Sequence, residues 1–219
     1  MAVTDIERLT PKGRATRARI IEAAAELIFT YGAGGTSIDD VRRAAGVSGS
    51  QMSHYFPDKH GLIRTVIAWQ ADTVIGRHQD PALGRLDSFD ALRLWAQLNI
   101  ERQRELDCQG GCSFGSLAGE LAESDDETRA DLAEGFGRWE ALFREGLRSM
   151  RERGELRADA DPDLLATALL GALQGGMLLT QTRRDPAPLE ATLGAMLAYV
   201  ESFASDRRTS ARPRKKTSR

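Results

Sequence analysis

Cysteine is nearly absent: the chain holds only Cys108 and Cys112. Two thiols are too few for a disulfide framework. At C-x3-C spacing, with no histidine nearby in sequence, they make at most half of a structural zinc site. They read first as buried small hydrophobes, and second as a redox pair. Histidine is almost as scarce, with His54, His60 and His78 alone. This matters for Gly111-Cys112-Ser113-Phe114-Gly115, which matches the G-x-S-x-G of a hydrolase nucleophile elbow. That elbow needs a strand before it and a histidine after it. No histidine follows Ser113, and the preceding segment reads as helix, so the match is rejected. Long apolar runs are missing too, and none approaches the ~20 residues of a membrane span. The N-terminus is polar and charged, unlike a signal peptide. These absences predict a cytoplasmic chain with no membrane partner and no cofactor. Strand alternation is missing from the body, and no period of 20–50 residues repeats.

What remains is ordinary globular composition, 41% hydrophobic and 28% charged over 219 residues. That is room for one large core or two domains. A net charge of −2 does not advertise nucleic-acid binding, but its distribution does. Residues 1–66 hold nine Lys/Arg against seven Asp/Glu. Residues 67–204 hold fourteen against twenty-four, and residues 205–219 hold seven against one. A basic head, an acidic body and a basic tail suit a protein that presents one end to a phosphate backbone.

The head is organised around Thr36 to Lys59. Ser37 can cap a short helix there, with Asp39 and Asp40 at its positive end. Ile38, Val41, Ala44 and Ala45 define its buried face. Gly46 sits where a helix stops by turning left-handed, and Val47 plugs the turn. Ser48 and Gln51 form a capping box for a second short helix. Met52 and Phe56 point inward from it. Ser50, Gln51 and His54 point outward, flanked by Ser53 and Tyr55. Pro57 ends the helix, and Asp58 can cap the next. The outer face is small, polar and free of carboxylates, so it can approach an anionic surface and offer hydrogen bonds. Two helices joined by a glycine turn, the second exposed and polar, predict a helix-turn-helix. Before it, residues 1–12 read as a flexible arm. Ile20, Ala24, Leu27, Ile28 and Tyr31 mark the buried stripe of a first helix that Gly32 stops.

On these residues the chain resembles the tetracycline-repressor (TetR) family of bacterial transcription regulators. The resemblance rests on Arg17 to Ile21 with Ala24, on Gly32, on Thr36-Ser37-Ile38 and on Ala45-Gly46-Val47-Ser48. Tyr55-Phe56 and Lys59 with Leu62 complete it. It covers roughly the first seventy residues. It implies a homodimer bound to double-stranded DNA at a palindromic operator, released by a small-molecule effector. Gln51 and His54 are then the base-readers, with Ser50 and Ser53 close to the groove. Thr36, Ser48, Tyr55, Lys59, Arg14 and Arg17 hold phosphates. The family usually has glycine at the position of Ser50, tyrosine at that of Ser53 and histidine at that of Tyr55. The usual tyrosine touches a phosphate, and Tyr55 is placed to supply that contact instead.

The remaining chain reads as all-α. A long helix follows Asp58 and fades before Pro81. Others run from Ser88 to about Arg104, from Asp125 to Arg153, from Pro162 past Leu179, and from Leu189 to Phe203. A glycine-rich bend at 108–115 leads into a short helix. Trp95, Phe114, Leu117, Trp139, Phe143 and Met177 supply large side chains from separate helices. They are the expected lining of a ligand pocket, with Ser113, Gln174 and Gln181 to orient a guest. Gly171, Gly175 and Gly176 each cost about 1 kcal/mol in a helix relative to alanine. They suggest close approach of another helix, in a subunit interface or in internal packing. The expected division is an arm (1–12), a DNA-binding head (13–60), a helical sensing and dimerisation body (61–205) and a disordered basic tail (206–219). The rival is an all-α enzyme of small molecules using the glycine-rich 110–116 segment. It lacks a histidine, carboxylate-pair or phosphate-loop constellation in the body.

Overall fold

The computed structural model describes residues 9–78, 83 and 85–205. The basic tail and most of the arm lie outside them. Among the described residues the chain is all-α, with one isolated bridge between Leu156 and Ala204. In chain order the helices are α1 Pro11–Gly35, α2 Ile38–Ala44, α3 Gly49–Tyr55, α4 Lys59–Arg77 and α5 Phe89–Glu105. They continue as α6 Ser113–Leu121, α7 Asp126–Glu152, α8 Pro162–Arg183 and α9 Ala187–Glu201. The helix-turn-helix head comprises α1 to α3, and α5 to α9 form the helical body. The 19-residue α4 packs against both.

Local chemistry sets most boundaries. Thr10 accepts from Gly13 N–H and starts α1 at Pro11, so the helix reaches into the expected arm. Asp58, Ser88 and Asp125 each accept from a first-turn N–H of α4, α5 and α7. Gly32 breaks α1 near its end with φ 76° and ψ 163°. Tyr31 does not join the buried stripe. It is 66% exposed, because Ile20, Ile21, Ala24, Ala25 and Ile28 already fill the inward face.

Polar side-chain contacts, most of them ion pairs of arginine, fasten α4 to α7. Arg64 meets Asp131 and Glu127, each at 2.5 Å, Arg138 meets Asp72 at 2.6 Å, and His60 meets Asp125 at 3.3 Å. Asp125 also accepts from Thr128, and these contacts hold its carboxyl well below the usual carboxylate range.

By length and composition, α8 is apolar enough to cross a membrane. This corrects the expectation that no apolar segment approaches a span. The excess has a local cause: two faces of the helix are apolar. Leu165, Leu169, Leu170 and Leu173 are buried against the body, while Leu164 and Leu178 are 57% and 63% exposed.

Candidate functional site

The head presents α3 as expected. Ser37 and Asp40 form a capping box on α2, and Ser48 and Gln51 form one on α3. Between them Gly46 takes φ +64°, which a side chain would strain. Val47, Met52 and Phe56 are buried beneath, fixing a two-turn helix that is too short to persist alone. Ser50, Gln51, Ser53 and His54 are all exposed on its outer face.

Two of these groups are partly engaged. Gln51 Oε1 accepts from Ser48 N–H at 2.9 Å, which leaves the amide NH2 to face outward partners. The Ser48 and Ser50 hydroxyls lie 3.0 Å apart. Nearby, Asp39 and Asp40 of α2 pair with Arg42 and Arg43, so that helix largely cancels its own charge.

The expected phosphate contacts divide. Arg17 stacks its guanidinium over the Phe56 ring, 5.3 Å from the centroid, and its Nε is buried without a hydrogen-bond partner. Burial lowers its pKa from the ordinary arginine value. Arg14 is exposed and donates to the Leu9 carbonyl at 2.6 Å. Lys59 is half-buried in the first turn of α4. Thr36 and Tyr55 are corrections. Thr36 is 4% exposed and its hydroxyl donates to the Gly32 carbonyl, satisfying an acceptor freed by the break in α1. Tyr55 is 9% exposed, because it falls on the same inward side as Met52 and Phe56.

The body holds a cavity of about 830 Å³ bounded by α1, α4, α5, the glycine-rich bend, α7 and α8. Trp95, Trp139 and Met177 are among its lining residues. Phe114 and Phe143 are not: both are fully buried core residues. Phe143 packs edge-on behind Trp95 at 4.9 Å, and Phe114 packs edge-on against Phe136 at 4.8 Å. Leu117 lines a smaller hollow of about 110 Å³, which shares Ala25, Phe29, Gln70 and Ser113 with the large cavity and extends to Gly32 and Glu120.

The cavity wall includes His78, which sequence reasoning did not single out. It is 8% exposed. Its Nδ1 lies 2.8 Å from the Val74 carbonyl, and its Nε2 accepts from Trp95 Nε1 at 2.8 Å and Trp139 Nε1 at 3.1 Å. Two indole donors on one nitrogen require a lone pair there, so the neutral tautomer with hydrogen on Nδ1 fits. Burial also lowers the His78 pKa. Arg77, Arg102 and Gln103 were missed as well. Nothing in their spacing marks them, since they come from two separate helices that border one cavity.

The glycine-rich bend closes one side. Asp107, Cys108, Gly110 and Gly111 all take positive φ. A Cβ on Gly111 would lie 2.2 Å from Gln181 Oε1, so the bend sits directly on α8. Cys108 is buried, and Cys112 caps α6 by accepting from Gly115 N–H at 3.3 Å. The Ser113 hydroxyl donates to Gln70 Oε1 at 3.0 Å rather than to a histidine. Gln174 donates to Cys112 Sγ at 3.5 Å.

Two stretches of the chain match known families. Residues 20–66 match the family described as bacterial regulatory proteins, tetR family. Residues 89–196 match the tetracyclin repressor-like C-terminal domain. The transcriptional regulator AcuR of Cereibacter sphaeroides is 29% identical over 184 residues, covering 83% of this chain and 84% of that protein. An HTH-type transcriptional regulator of Mycobacterium tuberculosis (strain H37Rv) is 30% identical over 188 residues, covering 80% of this chain and 88% of that protein. The crystal structure of regulatory protein TetR from Rhodobacter sphaeroides superimposes with a TM-score of 0.70 at 27% identity, covering 83% of this chain and 97% of that one.

Proposed function

Because the chain belongs to the tetR family of bacterial regulatory proteins and is a DNA-binding transcriptional regulator, we propose that it represses from a palindromic operator as a homodimer and lets go when a small molecule fills the cavity. The observation that carries this reading is the exposed, carboxylate-free face of α3 on a head that shares α4 with a hollow body. The head of residues 13–60 reads DNA, and the body of residues 61–205 pairs and senses. Each α3 enters a major groove, with half-sites about one helical turn apart or a multiple of it. Gln51 and His54 meet base edges, while Arg14, Arg17, Ser48 and Lys59 meet phosphates. Base contacts carry specificity, and phosphate contacts carry position. The work is binding in the cytoplasm, not catalysis: the Ser113 hydroxyl and His78 Nε2 have other partners.

Release requires that the effector favour an arrangement that DNA does not. Two connections can transmit that preference. The ion pairs of Arg64 and the contact between His60 and Asp125 tie the head end of α4 to α7. On α6, Glu120 accepts from Ala33 N–H at 2.9 Å and Gly34 N–H at 3.0 Å, gripping the end of α1.

The reading is tested by selecting genomic fragments on the purified protein, then measuring binding by fluorescence anisotropy. Gln51→Ala should cost on the order of 1–3 kcal/mol at one base position, and Lys59→Ala should weaken all sequences alike and reduce the salt slope. Equal loss on every sequence for Gln51→Ala would remove it from the readers. Absence of any enriched two-fold symmetric site would remove the operator reading.

A further inference from the structure

One part of the cavity wall is cationic. Arg77, in the last turn of α4, and Arg102, on α5, both line it. No carboxylate among the described residues pairs with either guanidinium. The two arginines work against each other: burial and the field of Arg102 both pull Arg77 below the ordinary arginine value. Both side chains are also exposed to solvent, so two like charges border one hollow without a carboxylate partner among the described residues and present a positive field to an incoming anion.

A second observation is independent of charge. Gln103 is 2% exposed and lines the same cavity, and its Oε1 is buried with no hydrogen-bond partner. A stranded amide oxygen costs about 1–3 kcal/mol, so buried polar groups of this kind normally have partners. The oxygen can only accept and the NH2 can only donate, so it is the Nε2 end of this amide that an anionic guest would meet.

The remaining wall is largely apolar and aromatic. All three tryptophans of the chain, Trp69, Trp95 and Trp139, line it, together with Phe29, Leu98 and Met177. Glu22 and Glu26 also enter the lining, from α1, an element that carries neither arginine. An anionic head group is turned away from those carboxylates and toward α4 and α5.

We propose that the effector is an organic anion: a small apolar or aromatic carboxylate whose head group sits between Arg77 and Arg102, beside the Gln103 amide, with its body among the tryptophans. This rests on the sensing reading above, and names the ligand class for that cavity. A carboxylate can accept from both guanidinium groups, and such charge-assisted bonds are about twice as strong as neutral ones. A neutral amide of the same shape keeps the apolar contacts and loses the charge.

Matched probes decide the matter. The full-length protein is titrated with cinnamate and cinnamamide, and with octanoate and octanamide, following intrinsic tryptophan fluorescence. Each acid should bind about tenfold or more tightly than its amide, the ratio given by one charge-assisted contact. Arg77→Gln and Arg102→Gln together should bring the ratio near one while leaving amide affinity in place. Arg77→Lys and Arg102→Lys, which retain the charge, should preserve part of the preference. Should the double glutamine variant fail to fold, the wild type decides alone, because a charge-based preference shrinks as ionic strength rises.

Equal affinity for acid and amide overturns the proposal. So does a preference that survives in the folded double glutamine variant, a salt-independent ratio, or no saturable quenching by either acid up to millimolar concentration. DNA release is measured separately with each probe. Acids that bind without releasing DNA leave the ligand class standing and remove the sensing reading. A neutral compound that releases DNA, where neither acid binds, does the reverse.

Discussion

His78 is the residue on which the cavity wall depends. One imidazole nitrogen receives two buried indole donors, and the other faces the Val74 carbonyl. Protonation would put an N–H where both tryptophans need a lone pair. The folded protein therefore holds this ring neutral, and burial pushes its pKa below the ordinary value. The sign of the pH effect follows. An unfolded histidine protonates near 6.5. Above that pH neither state takes up the proton, and the contribution of His78 to stability is complete. As pH falls from there toward the folded value, the unfolded state binds more protons and stability drains away. Melting temperature should thus fall between about pH 7 and pH 5, and this slope should flatten in His78→Phe. At pH 7.5 the same substitution strands two indole N–H groups, each worth on the order of 1–3 kcal/mol. Calorimetric melting of both proteins across that range checks both statements. An unchanged slope in the variant would show that another group sets the acid response.

At the scale of elements, α6 is the shortest helix of the body and touches both functional regions. Cys112 and Ser113 at its start line the cavity, while Glu120 near its end grips the last turn of α1. Nine residues at 1.5 Å per residue make a rod about 13 Å long. A guest that displaces its first turn moves its last turn as well. Glu120 is exposed and its partners are backbone N–H groups that a glutamine oxygen can still accept from in part. Glu120→Gln should therefore melt close to wild type and bind operator normally, yet show a smaller loss of DNA affinity at saturating effector. Anisotropy titrations with and without effector measure this, and an undiminished response would leave the transmission to α4. The capping devices of α2, α3 and α4 were legible in sequence because each involves residues three apart. The outward face of α3 was legible for the same reason. The cavity was not, since a list of large side chains does not say which face of each helix looks inward. Trp139 and Phe143 lie one turn apart on α7, and only the packing of α5 decides that one lines the cavity while the other stands behind it. Thr36 and Tyr55 were read from the family pattern as phosphate contacts, whereas the break at Gly32 and the inward side of α3 draw them into the head.

The whole molecule exposes one surface that a single copy does not explain. Along α8, Leu164, Gly171, Gly175 and Leu178 all face outward, although the helix buries another row of leucines inside the body. The three glycines expected to mark one close contact separate into two groups. A Cβ on Gly176 would come within 2.3 Å of Thr192 Oγ1 and 2.8 Å of Leu189 Cδ1, so this glycine lets α9 pack against α8. Around Gly171 and Gly175 a Cβ meets nothing within 4 Å. Within one chain these two glycines only cost helix stability, about 1 kcal/mol each relative to alanine. Alanine at either position should stabilise an isolated subunit. A second copy laid along α8 changes the account, because glycine lets two helices approach closely and buries Leu164 and Leu178 from both sides. With Leu179 and Tyr199, 40% and 47% exposed, the face extends toward α9. Gly175→Leu therefore distinguishes the two situations. In a monomer it adds a side chain to open solvent and leaves folding intact. In the dimer it overfills the contact, a change that typically costs 1–3 kcal/mol or somewhat more. Light scattering at micromolar concentration should show the wild type as a dimer and Gly175→Leu shifted toward monomer, with helical circular dichroism unchanged. Operator binding should fall with it, since one α3 reaches only one half-site. A variant that remains a folded dimer would place the interface on another face and leave the exposed leucines of α8 to a different partner.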